Sequence, residues 1–183
     1  MVQLATYKDA TINSSYPIIS IHDLKITASF NNHGRLHLTG LLQADKALTV
    51  VEQASSADTI EVFINESGKQ VKLFSGIVDE FNVTHDGGVY HFSLVAVTHT
   101  DLLDHKKVNR SFQNQSMSYG TLINWVLAEY NGHFIQIPTD RSIGRMIIQY
   151  QETTWQFLKR IATHFETVLI PDLVGNQPRL SCI

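Results

Sequence analysis

From Ile18 to about residue 100, apolar and polar positions alternate along the chain with a period of two, the mark of strands that turn one face towards a core. Leu24, Ile26, Ala28 and Phe30 alternate with Lys25, Thr27 and Ser29. Asn31-Asn32-His33-Gly34 then supplies a turn, and Leu36, Leu38 and Leu42 resume the pattern, which predicts a hairpin. Ile60, Val62 and Ile64 form the next run, closed by Asn65-Glu66-Ser67-Gly68. The longest strand signal passes through Val71, Leu73, Ile77, Phe81 and Val83, with Gly76 in its interior marking a bulge or sharp bend. After His85-Asp86-Gly87-Gly88 the chain turns back, with Tyr90, Phe92 and Leu94 on one face. Successive hairpins of this kind predict a small antiparallel barrel or sandwich, and a bend at Gly76 suits a closed barrel.

After Leu102-Leu103 the period changes. Ser118 is placed to cap a helix in which Leu122, Ile123, Val126, Leu127 and Tyr130 share a face, and Asn131-Gly132 supplies a left-handed stop. Thr153 with Gln156 three residues later matches a capping box, followed by the stripe Trp155, Leu158, Ile161, Ala162 and Phe165. Trp155 on that stripe reads as a core anchor and not as a stacking platform for a ligand. Phe134-Ile135-Gln136-Ile137-Pro138, Met146 to Tyr150 and Thr167 to Pro171 read as short strands. Leu180-Ser181-Cys182-Ile183 reads as a further strand after the turn Gly175-Asn176-Gln177-Pro178, and a strand at that point suggests a truncated protein. The fold class expected is α+β and mainly β. Residues 1–100 form a first antiparallel barrel, 101–166 an α/β element with two helices, and 167–183 the first strands of a second barrel.

At 183 residues and 43% hydrophobic composition the chain can bury a real core in one domain or two. To residue 100 it carries six Lys and Arg against ten Asp and Glu, net −4; the remainder carries eight against seven, net +1. Neither part has the basic stripe of a nucleic-acid binder, and Lys106, Lys107 and Arg110 read as a solvated connector. The single cysteine, Cys182, excludes an internal disulfide framework. Met1 to Lys8 lacks the basic leader and apolar core of a signal peptide, and no stretch approaches the roughly twenty apolar residues of a membrane span.

Nine histidines raise the question of a metal. Their spacing does not support one: His33 and His37 are separated by a turn, and His85 and His91 flank a hairpin turn without an evident third ligand. Asp79 and Glu80, with Glu152, are the carboxylates one would nominate for glycoside hydrolysis, which needs two such groups roughly 5 to 9.5 Å apart. Glu152 precedes a helix start, where exposed amides favour a carboxylate, and that reading is preferred. No serine elbow, phosphate loop or dinucleotide fingerprint is present. The expectation is therefore no catalytic, cofactor-binding or metal residues and no enzyme.

Three stretches in order carry a resemblance. They are Leu73-Phe74-Ser75-Gly76-Ile77-Val78 with Tyr90-His91-Phe92-Ser93-Leu94-Val95-Ala96; Arg110-Ser111-Phe112-Gln113-Asn114-Gln115-Ser116-Met117-Ser118-Tyr119; and Ile148-Gln149-Tyr150-Gln151-Glu152-Thr153-Thr154-Trp155-Gln156-Phe157-Leu158-Lys159-Arg160-Ile161-Ala162 leading to Leu169-Ile170-Pro171-Asp172. Together they resemble the phage late control gene D family, which includes baseplate hubs of contractile tails and VgrG-like spike proteins of type VI secretion. The resemblance implies two similar barrels with an α/β element between them, in a homotrimer whose six barrels form a ring adapting a hexameric tail tube to a trimeric spike. It also implies tube, spike and baseplate proteins as partners, no specific nucleic acid, no membrane insertion, and a place in the virion tail or injection apparatus after synthesis in the bacterial cytoplasm. Alternative readings are a hub-associated peptidoglycan-cleaving protein with its hydrolase domain beyond residue 183, and a module that binds host-surface glycan.

Overall fold

The computed structural model describes residues 10–53, 55, 57–136 and 139–182, with the side chains of 48, 51–53 and 136 outside the description. The N-terminal stretch read above for a leader, and Ile137-Pro138 at the end of one expected strand, lie outside these residues. The chain divides into two compact units, one of Met1–Thr27 with Gly34–Thr98 and the other of Ala28–His33 with His99–Ile183.

The first unit is an antiparallel sheet of six strands: β1 (Ala10–Ser14), β2 (Ile18–Thr27), β3 (Arg35–Leu42), β4 (Thr59–Glu66), β5 (Lys69–Asp86) and β6 (Val89–Thr98), ordered β1-β4-β5-β6-β3-β2. Its inner face packs Leu36, Leu38, Leu42, Ile60, Val62, Phe74, Phe92, Leu94 and Ala96 into one core. A helix, α1 (Ala44–Gln53), follows β3 and buries Ala47 against that core. The sequence reading did not anticipate it, although Ala44, Ala47, Leu48 and Val51 stand at helical spacing.

The β5 strand departs from the alternation expected for it. The register with β4 slips between Val62 and Phe63, where Leu73 is the extra residue, and that with β6 slips between Val78 and Glu80, where Asp79 is extra. Each bulge turns the strand over by one residue. Between them the even positions Phe74 and Val78 face the core, and beyond them the odd positions Phe81 and Val83 do. The bulges expected at Gly76 thus flank it. The glycine itself serves a close approach, since a Cβ there would lie 2.3 Å from the Val97 carbonyl oxygen. Gly40 does the same on β3, where a Cβ would sit 2.0 Å from the Ser20 carbonyl oxygen.

The expected antiparallel barrel is present as a curled half-barrel. Among the described residues β1 and β2 end the sheet and do not pair with each other, so the sheet curls into a half-barrel. The Tyr16 hydroxyl, between these two strands, donates to Asp58 Oδ2 at 2.9 Å. Burial and that carboxylate push the phenol above its ordinary pKa. Phe30, expected on the core face of the first hairpin, is 64% exposed. The ladder ends at Thr27, and Asn31 adopts a positive φ of 60°.

In the second unit β7 (Lys107–Phe112) pairs with β9 (Ile147–Thr153), while β8 (His133–Gln136), β10 (Leu169–Pro171) and β11 (Arg179–Cys182) form a sheet ordered β10-β11-β8. Two helices, α2 (Tyr119–Ala128) and α3 (Thr154–Thr163), complete it. The Ser118 side chain caps α2, and Asn131 at φ 53° supplies the left-handed stop. The Thr153–Gln156 capping box of α3 is present in both directions. Residues 101–166 and 167–183, expected as separate parts, share one core: Leu169, Leu180 and Cys182 pack with Leu122, Leu127 and Trp155. The loop Ala28–His33 also belongs to this unit, with Asn31 exchanging two hydrogen bonds with the Leu169 backbone.

Trp155 is 1% exposed, which supports its reading as an anchor. Trp155→Ala should destabilise the second unit by about 3–5 kcal/mol, read by urea unfolding, and an unchanged midpoint would show that the indole is not a packing anchor.

Candidate functional site

Polar side chains gather in the second unit, in two networks that the sequence reading did not anticipate. The first is built on Arg110, whose side chain is 9% exposed. A buried guanidinium must find acceptors for its donors, and this one does. Nη1 donates to Gln149 Oε1 at 2.7 Å and to Thr154 Oγ1 at 3.2 Å, while Nη2 donates to Glu129 Oε2 at 2.5 Å. Its plane lies 5.9 Å from the Trp125 ring centre, and Phe112 meets that ring edge-on. Gln149, fully buried, spends its amide on the Glu152 carbonyl. Arg110 therefore joins β7, β9, α2 and α3, and the solvated connector expected there holds only for the exposed Lys106 and Lys107. A run of three cations spread over five positions concealed one that points inwards.

The second network centres on His33. Its ring lies 4.4 Å from that of Trp155, and Nδ1 is 3.0 Å from Thr100 Oγ1. Nε2 is buried without a hydrogen-bond partner, 3.7 Å from Asp104 Oδ2 and 4.0 Å from Asp101 Oδ1. Asp104 accepts the Thr153 hydroxyl, and Asp101 Oδ2 is 2.7 Å from His105 Nε2. Burial holds His33 below the ordinary histidine pKa, against the pull of the two carboxylates. His164 is also held low, by burial and then by Arg145, Arg160 and Arg141.

The other residues singled out from the sequence are dispersed. His85 pairs with Tyr90, its ring 4.5 Å away, and not with His91, whose ring faces His22 at 6.1 Å. His37 is exposed on β3. Among the described residues no three His, Cys, Asp or Glu side chains are grouped as a metal site requires. Asp79, at a bulge of the first unit, lies 3.7 Å from Arg35 Nη1, and Glu80 is exposed. Glu152, in the second unit, is paired with Arg160. The three nominated carboxylates are thus divided between the two units, and Glu152 is engaged in an ion pair. The Cys182 thiol is buried, which pushes its pKa up to about 11 and leaves it protonated and unreactive at neutral pH.

The surfaces differ from these interiors. In the first unit Ile19, on the edge strand β2, is 63% exposed; in the second, Tyr150 is 73% and Trp125 53% exposed. No described helix is long and apolar enough to cross a membrane.

A curled antiparallel sheet and a helix-bearing unit whose polar groups are bound to one another have known counterparts. The family model for the phage tail baseplate hub (GPD) matches residues 30–165. The chain belongs to that baseplate hub family. Among solved structures, its fold is similar to the Escherichia coli c3393 protein, described as a type VI secretion component with structural similarity to the T4 tail proteins gp27 and gp5. That match has a TM-score of 0.68 and 11% identity, covering 94% of this chain and 48% of that one. A tail protein of Neisseria meningitidis MC58 matches with TM-score 0.64 and 14% identity over 95% of this chain and 50% of that one. The 43 kDa tail protein of prophage MuSo2 from Shewanella oneidensis matches with TM-score 0.62 and 16% identity over 95% and 52%. The chain thus spans about half the length of these hub-like proteins. No curated protein sequence matches it.

Acid should weaken the second unit of this hub-family chain. With folded pKa values below the unfolded value of about 6.5, the unfolded chain takes up protons first, so stability is full above about pH 7 and falls as pH drops through that value towards the folded pKa. Urea unfolding of His33→Asn, which retains a partner for Thr100, should show a flatter fall between pH 7.5 and 5.5 than the parent; identical profiles would remove His33 as a contributor.

Proposed function

We propose that the chain is part of a structural hub of a phage tail or phage-derived contractile injection system, adapting a hexameric tube to a trimeric spike and catalysing no reaction. Membership of the baseplate hub family carries this reading. Two features of the residues support it. Much of the buried polar set of the second unit is bound internally, Arg110 to Gln149, Thr154 and Glu129 and Asp104 to Thr153, while His33 Nε2 lies unbonded beside Asp101 and Asp104. The first unit presents a curled sheet that ends at β1 and β2 among the described residues, a shape that gains by being covered by neighbours.

In this reading the half-barrel is one of two similar sheets in a longer protein. Residues 167–183 lead towards the second, and three copies place six such sheets in a ring between the tube and the spike. The partners are then tube, spike and baseplate proteins, and the site of action is the virion tail or the injection apparatus. Native mass spectrometry of the full-length protein should give three copies. A zymogram should show no clearing of peptidoglycan by residues 1–183. A monomer at micromolar concentration, or clearing by this chain, would contradict the proposal.

A further inference from the structure

Loop residues 139–146 pass over the C-terminal end of α3 and leave two adjoining hollows of about 340 and 400 Å³ that share Arg141 and His164. Arg141 is fixed in place: Nη2 donates to the His164 carbonyl at 2.7 Å, and the guanidinium lies 5.0 Å from the Phe165 ring centre. His164 is fixed too, with Nδ1 2.8 Å from the Tyr119 hydroxyl and its ring edge-on to Tyr119. Arg145 lines the first hollow beside Ser142. Arg160, the third cation acting on His164, is neutralised by Glu152. Among the described residues neither Arg141 nor Arg145 has a carboxylate partner. The nearby acids do not fill that role. Asp140 accepts the Gly120 amide at the start of α2, and Glu166, which lines the second hollow, makes no ion pair with either arginine among the described residues.

A helix C-terminus attracts one cation, and Arg141 meets that need. It leaves Arg145 unexplained, although Arg141, Arg145 and His164 line one hollow and the protonation of His164 is opposed first by burial and then by these cations. Such a cluster of convergent donors beside aromatic walls is arranged for an oxyanion. We propose that Arg141, Arg145 and His164 form a pocket that takes a carboxylate side chain from an acidic segment of a neighbouring protein in the assembly. A carboxylate is favoured over a nucleic-acid phosphate because the chain has no basic stripe around the pocket and a net charge of −3. The inference rests on the hub reading for the existence of such a neighbour.

The test needs no assembly, so its failure is distinct from failure of the hub reading. Fluorescein-labelled hexa-aspartate is titrated into the 183-residue chain at low salt, with a labelled 12-base-pair DNA duplex in parallel. The peptide should bind, and Arg145→Glu, a change at an exposed side chain, should weaken it about tenfold or more with unchanged melting. Arg141→Gln should weaken it as well. Occupation by a carboxylate should also raise the pH at which the His164 ring titrates by NMR, because an opposite charge favours imidazolium among Arg141, Arg145, Arg160 and Glu166. Equal peptide affinity in wild type and Arg145→Glu would overturn the proposal. So would tighter binding of the duplex that is lost in the same variant, which would assign the pocket to phosphate.

Discussion

A six-stranded antiparallel sheet curls into a curved wall where bulges sharpen the twist of its strands, and the longest bulged strand in this chain is β5. It runs for eighteen residues and serves β4 with its first half and β6 along its second. A flat strand of that length would present one parity throughout and hold its neighbours in a plane. The two extra residues at Leu73 and Asp79 break the parity twice, and the absence of a side chain at Gly76 admits the Val97 carbonyl between them. Phe74 and Val78 consequently reach the same core as Phe81 and Val83. The curvature that makes the sheet a half-barrel draws on this stretch and on two further register shifts of β2 against β3, between Ile18 and Ser20 and between Ile21 and Asp23.

The second unit solves a different problem. Its β-ribbon and two short helices cannot each bury much alone, and they meet around Trp155, Phe157, Leu122 and Leu127. Between them sits a guanidinium that carries its charge into the interior. Removing water from Arg110 has a large desolvation cost, which its acceptors offset. Gln149 of β9, Thr154 of α3 and Glu129 at the C-terminal end of α2 take three of its hydrogen bonds, so the network also fixes how β7, β9, α2 and α3 are arranged. A polar interior of this kind resembles a site, yet the acceptors of Arg110 are side chains of the same unit.

Much of this was legible in the sequence, for identifiable reasons. Strands with clean alternation, such as β3 with Leu36 and Leu38 and β6 with Phe92 and Leu94, announce their inner face because period and burial agree. Caps were equally legible: Ser118 and Thr153 act through backbone amides within three residues, and such contacts need no tertiary partner. What could not be read was whatever depends on distant partners. The bulges at Leu73 and Asp79 are defined by slips against β4 and β6. The direction of Arg110 depends on Gln149, thirty-nine positions away. Helix α1 carries Ala44, Ala47, Leu48 and Val51 at helical spacing, a stripe the sequence reading passed over between two strand signals, and that β1 and β2 end the sheet among the described residues is a property of the ladder and of no single strand. The pocket of Arg141, Arg145 and His164 joins a loop to a helix end, and nothing in their spacing signals it.

The central claim is that the curled sheet is an assembly element and the chemistry of the second unit is structural. Electron cryomicroscopy of the full-length protein tests this most directly. The account predicts a threefold particle in which the six-stranded sheet of each copy lines a ring with a central channel. A particle in which these sheets face outward and enclose no channel would contradict it.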